Sequence, residues 1–193
     1  MPYWALCQTI IFYIAGMKTA AIIIASVALL SSCATLPKQF QTKDEVITTG
    51  PGTEDIAVDT ISEQPRLLIS CAQRRMGEKH YAEINVYYPS TGTVKIIERH
   101  QPADIDFNPH GLDLVMAKGV LTLLVVNHDL VKHENAILKY RVYKDSLVYL
   151  GKVVDPLITS PNAVTGFTDG TMLISNDAKK QGNSMEALFM LKR

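Results

Sequence analysis

Apolar and polar positions along this 193-residue chain follow two different patterns. Ala20 to Leu30 is an almost uninterrupted apolar run, preceded by Met17-Lys18-Thr19 and closing on Leu30-Ser31-Ser32-Cys33. After about Gly52 the pattern breaks into short stretches of strand period separated by turn chemistry. Arg66 to Ala72 is one such stretch. Tyr81 to Tyr88 alternates, Pro89-Ser90-Thr91-Gly92 supplies a turn, and Thr93 to Glu98 alternates again, which predicts a hairpin. Val120 to Asn127 is nearly continuous in Val and Leu, as expected of a strand buried on both faces. Ala136 to Tyr143 and Leu147 to Val154 predict a second hairpin, turning at Lys144-Asp145-Ser146. Thr171 to Ser175 and Ala187 to Leu191 close the series. No stretch after the N-terminal run keeps helical period. The expected class is all-β, with strand pairs recurring at the spacing of propeller blades. At roughly 40–45 residues per four-stranded blade, Cys33 to Arg193 amounts to between three and four blades, so a partial ring is expected.

The N-terminal run reads as a secretory leader. Lys18 supplies the positive start, and the apolar stretch has the length of a leader core rather than of a spanning helix. Leu30-Ser31-Ser32-Cys33 resembles the bacterial lipobox, which implies a diacylglycerol on the Cys33 sulfur and cleavage just before it. The plainer alternative is an ordinary signal peptide with an incidental cysteine. A second apolar patch, Ile10 to Ala15, precedes Lys18 and fits best if the true start is Met17. A single longer anchor would bury Lys18 at mid-span, at a cost of roughly 2.5 kcal/mol or more. The expected organisation is a leader helix over 1–32, a polar tether over 33–52 and a β domain over 53–193. The protein is expected to be exported and held by its lipid in a bacterial cell envelope. Ala34 after the cysteine leans toward the outer membrane, on its periplasmic face.

Charge narrows the function classes. The 19 basic and 19 acidic residues balance to a formal net charge of zero with no run of one sign, so nothing draws the chain to nucleic acid. Of the three cysteines, Cys7 and Cys33 belong to the leader and lipobox. Cys71 then has no partner for an internal disulfide and reads as a small core residue. Stability must come from packing, with a bound metal as a second source.

The run Asn108-Pro109-His110-Gly111, then Leu123 to His128, then Asn162 through Ser175-Asn176-Asp177, with Thr53-Glu54-Asp55 upstream, resembles the paraoxonase/arylesterase family. That family is related to gluconolactonase-like six-bladed propellers, and the resemblance spans about Gly52 to Asp177. It implies a calcium at the mouth of a propeller tunnel and hydrolysis of small esters or lactones. Residue by residue, Glu54 and Asn162 match catalytic-calcium ligands. His110 and His128 match a histidine dyad in which one imidazole activates water and the other orients it. Asp55 and the backbone carbonyl of Leu112 match contributors to a second, structural calcium. Taken alone, Glu54 is a solvated loop carboxylate and Asn162 a turn residue after Pro161. Pro109-His110-Gly111 is a tight turn and His128 a strand cap. His80, His100 and His133 read as surface residues.

The chain departs from the family pattern in two places. Ala163 stands where the structural site has an aspartate, which removes a charged ligand that Asp113 would have to replace. The family's remaining catalytic-calcium ligands, an asparagine and an Asp-Asn pair, come from later blades than these. Calcium binding is therefore expected to be weak or absent, and turnover by the lone chain negligible. A partner chain or self-association would be needed to complete the ring. The competing reading is a non-catalytic propeller fragment of a lipoprotein, acting as an interaction module or standing as a gene remnant.

Overall fold

The computed structural model describes residues 44–73 and 80–177, and the backbone of 187–192. The expected leader, the lipidated Cys33 and most of the tether lie outside the described residues. Among the described residues, twelve strands fall into three sheets. The first sheet is β1 (Thr53–Asp59), β2 (Arg66–Ala72), β3 (Ala82–Tyr88) and β4 (Thr93–Ile96), antiparallel and in sequence order. The chain then passes through β5 (Glu98–His100) to a second sheet. This consists of β6 (Pro109–Ala117), β7 (Val120–Asp129), β8 (Glu134–Val142) and β9 (Ser146–Val153), with β5 parallel to the outer edge of β9. The third sheet is β10 (Pro161–Gly166), β11 (Thr171–Asn176) and β12 (Ala187–Lys192).

Apart from β5, each sheet is an up-and-down meander, and the strands that open these meanders lie side by side, β1 against β6 and β6 against β10. This is the layout of propeller blades around a common axis. The fold is all-β and partial-propeller-like, as the periodicity predicts.

Packing between blades explains why β7 is apolar along its whole length. Leu123 and Val125 join Ala57, Leu68, Ile84 and Val86 of the first blade in one core. The intervening Leu124 and Val126 join Val164, Met172 and Ile174 of the third blade in another. Successive side chains of a strand point to opposite faces, so a middle blade needs apolar residues at both parities. Lys118 and Gly119, with φ of 50° and 77°, make the two-residue turn between β6 and β7. Cys71 is buried in the core of the first blade, as expected, and His80, His100 and His133 are exposed.

Four expectations need correction. Thr53-Glu54-Asp55, Pro109-His110-Gly111 and Pro161-Asn162 are not loops ahead of strands but the opening residues of β1, β6 and β10. Proline is tolerated at a strand's first residue, where no ladder donor is required. The stretch Thr93 to Glu98 is also not one strand. The chain breaks at the buried Ile97, and β5 crosses to the second blade.

Candidate functional site

The opening residues of all three inner strands share an irregularity. Thr53 opposes Cys71 and Asp55 opposes Ser70, so Glu54 is an extra residue with no cross-strand partner. Pro161 opposes Asn176 and Ala163 opposes Ser175, which leaves Asn162 extra in the same way. On β6, Pro109 opposes Asn127 and Leu112 opposes Val125, so His110 and Gly111 share one opposing position. A bulge of this kind bends the strand and re-aims its side chain. The repeat therefore places Glu54, His110 and Asn162 at equivalent points on neighbouring inner strands, at one end of the ring.

Gly111 is what lets two of these strands meet. A Cβ there would stand 2.8 Å from Ala163 Cα and would collide with the Asn162 carbonyl oxygen. Only glycine permits that approach.

At this mouth the Glu54 carboxylate lies 3.3 Å from His110 Nδ1, with the two side chains 26% and 15% exposed. The ring of His128 stands beside that of His110, with centroids 5.4 Å apart and planes at 55°. Both expected dyad members are thus brought together, and with them the glutamate. His128 Nδ1 lies 2.7 Å from Asn135 Oδ1, and Asn135 Nδ2 donates to the Thr159 carbonyl at 2.7 Å. The second bond fixes which way the amide points. Its oxygen then faces the imidazole and can only accept, so Nδ1 of neutral His128 carries the proton and Nε2 is the basic nitrogen. The four side chains form one polar line: carboxylate, imidazole, imidazole, amide. A cleft of about 280 Å³ borders His128, lined among others by Asn108, Asn135, Thr159 and Ser160. That is near the lower end of the ~300–1,000 Å³ usual for small-molecule sites.

Asn135 was missed in the sequence. Its signal is hairpin register, since Asn135 stands directly opposite His128 across the β7–β8 pair. Two buried asparagines were also seen only as parts of longer motifs. Asn127 accepts from the Asn108 amide at 2.7 Å and donates to the Asp106 carbonyl at 3.0 Å. Asn176 accepts from the Thr159 and Ser160 amides at 3.1 and 3.0 Å and donates to the Leu157 carbonyl at 2.9 Å. These two residues oppose Pro109 and Pro161 respectively, so each pins the loop that delivers its own inner strand to the mouth.

Asp55 and Leu112 do meet, through a direct hydrogen bond: the Leu112 amide donates to Asp55 Oδ2 at 2.8 Å. The other carboxylate oxygen, Oδ1, accepts from the Ile56 amide at 2.8 Å. Asp113 is turned away from them and accepts from the Gly166 amide at 2.7 Å. Each aspartate staples its inner strand to the next.

Calcium takes six to eight oxygens, and Glu54 and Asn162 are hard oxygen donors of the right kind. They flank His110 on β1 and β10. Among the described residues, no group of three or more His, Cys, Asp or Glu side chains converges on one point. The donor set fits calcium in kind and falls short in number.

The chain matches no protein-family model, and no curated protein matches it either.

Proposed function

We propose that this mouth is a hydrolytic site for small esters or lactones. The observation that carries the reading is the line Glu54–His110–His128–Asn135, with a cleft bordering His128. In this reading His128 Nε2 takes the proton of a water that attacks the substrate carbonyl, and later returns it to the leaving oxygen. Asn135 holds the tautomer that makes Nε2 the base. His110, held by Glu54, orients the water. Calcium held by Glu54 and Asn162 would supply positive charge for the oxygen on which negative charge develops.

The test is hydrolysis of phenyl acetate and of a simple lactone by the full chain, with and without calcium. The expected result is negligible turnover by the lone chain and, where a partner chain or self-association completes the ring, turnover that needs calcium in about the 10⁻⁴–10⁻³ M range of loose extracellular sites and is abolished by a chelator. No turnover by the completed ring at saturating calcium would favour the competing reading, a non-catalytic propeller module. The shortage of oxygen donors among the described residues is the observation on that side.

We further propose that the chain is exported and anchored by lipid at Cys33, on the strength of the apolar run and the lipobox-like Leu30-Ser31-Ser32-Cys33. Mass spectrometry of membrane fractions should find a mature N-terminus at Cys33 carrying acyl chains. A soluble, unacylated protein would exclude the anchor.

A further inference from the structure

We propose that the cleft between the second and third blades, at the end remote from the mouth, binds a small carboxylic acid by its apolar chain and its carboxylate. The two faces of β8 differ there, because adjacent side chains of a strand point to opposite faces. Toward the first blade, Tyr140 is fully buried, with its ring edge-on to Phe107 and Tyr149 at centroid distances of 6.3 and 5.8 Å. Aromatic rings fill that side. Toward the third blade the neighbouring residue is Lys139, half-buried, and it lines an open cleft of about 260 Å³.

The floor and the remote end of this cleft are fixed. A Cβ at Gly166 would stand 2.7 Å from Leu124 Cδ1 and 2.8 Å from Val115 Cγ1, so glycine lets β10 lie directly on the second blade. Asp113 holds it there by accepting the Gly166 amide at 2.7 Å. At the remote end the Lys118 amide donates to the Thr168 carbonyl at 3.2 Å, which joins the β6–β7 turn to the β10–β11 turn. One wall comes from a bulge. Lys139 opposes Gly151 and Tyr140 opposes Tyr149, so Leu150 is an extra residue of β9, and a bulge re-aims its side chain. Leu150 and Phe167 line the cleft while 51% and 42% exposed. Apolar surface left open in this way favours an apolar chain.

Charge selects the other end of the ligand. Lys118 and Lys139 both line the cleft, and among the described residues no carboxylate does. Neither ammonium takes part in an ion pair among the described residues. The acids that flank these strands are engaged elsewhere, Asp113 by the Gly166 amide and Asp169 by the amide and hydroxyl of Thr171. A half-buried cation without a counter-charge is unfavourable, and a ligand carboxylate supplies both the charge and the acceptors. A volume of about 260 Å³ holds roughly nine groups the size of a water at ~30 Å³ each, which corresponds to an acid of about six to eight carbons. The site lies away from the histidines, and nothing in it depends on the hydrolase reading.

The full chain, isotope-labelled at its methionine methyl groups and held in mild detergent, is titrated with sodium octanoate and followed by NMR. Met172 lines the cleft at 3% exposure and reports from inside it. The expected result is a saturable shift of its resonance, assigned by Met172→Leu, with a dissociation constant at or below about 1 mM. Acetate, which lacks the chain, and octylammonium, which reverses the charge, should leave that resonance in place. Lys139→Gln should weaken octanoate binding by about tenfold or more, the worth of a hydrogen bond to a charged group. Lys139→Arg should keep most of the affinity, and both variants should show an unchanged circular dichroism spectrum. His128→Gln, at the mouth, should bind octanoate as the wild type does. A Met172 resonance that does not move at concentrations about tenfold higher overturns the inference. So does an equal shift with octylammonium, an unchanged affinity in Lys139→Gln, or a drift of all methionine resonances together, which marks partition into detergent.

Discussion

Arg66→Met is expected to destabilise the protein by about 3–5 kcal/mol, the usual cost of removing one partner from a buried ion pair. The Arg66 and Asp59 side chains are 2% and 0% exposed, with Nε donating to Asp59 Oδ2 at 2.9 Å. The rest of the guanidinium donates to the backbone carbonyls of Tyr143, at 2.9 Å, and Lys144. Those residues belong to the β8–β9 turn, so one side chain ties the β1–β2 connection of the first blade to the second blade, at the end remote from the mouth. Removing it leaves the Asp59 charge buried and two carbonyls without a donor. Urea denaturation measures the loss. Replacing both partners by apolar residues of similar size should recover most of it.

The same pair sets a pH dependence. Burial alone would raise the Asp59 carboxyl, but the Ser62 hydroxyl and amide and the Arg66 guanidinium more than offset it and hold it below 3.8. A carboxylate depressed in the folded state contributes stability that is present above its unfolded value. That stability is lost as the pH falls through the lower, folded value. Acid should therefore weaken the wild type below about pH 4 more steeply than an Asp59→Asn variant.

How much of this was legible in the sequence depended on burial. Strands that lie inside a blade, such as β2, β7 and β8, carry their period openly because both faces or one whole face are apolar. The inner strands β1, β6 and β10 do not. Each begins with a bulge, which breaks the two-residue alternation at the point where the site residues sit, and two of them open with proline. Thr53-Glu54-Asp55 and Pro161-Asn162-Ala163 therefore read as loops. The irregularity that hid these strands is the same one that aims Glu54, His110 and Asn162 at the mouth.

The histidine pair was legible as a pair of motifs, but its second partner was not. His128 and Asn135 are joined only by the register of a hairpin whose turn carries no strong two-residue signature. The roles of Asp55 and Asp113 were out of reach for a different reason. Both carboxylates accept backbone amides of a neighbouring blade, contacts with sequence separations of 57 and 53 residues. No local pattern reports such a contact. The staples also account for a chain with one buried cysteine and no disulfide among the described residues holding three sheets in order.

His128→Gln should lower turnover of phenyl acetate by 10²–10⁴-fold, the range typical of losing a positioned general base. Glutamine keeps size and a hydrogen bond to Asn135 but has no nitrogen that can take a proton near neutrality. Glu54→Gln should also lower kcat strongly. It removes the anion that holds His110 and one of the two proposed calcium donors, so its loss should be accompanied by a higher calcium requirement, which His128→Gln should leave unchanged. Asn135→Leu separates positioning from chemistry. The imidazole remains, but nothing fixes its proton on Nδ1, so kcat should fall less than in His128→Gln. The acid limb of the pH–rate profile should also move, because the hydrogen bond that favours one tautomer is gone. Asn135→Asp keeps an acceptor for Nδ1 but loses the donor to the Thr159 carbonyl, so it should restore only part of the rate. His100→Gln, on an exposed side chain of β5 at the outer edge of the second blade, serves as the control and should change nothing. If His128→Gln and His100→Gln leave the same rate, the hydrolysis does not run through this mouth, and the polar line there is a structural feature of the ring.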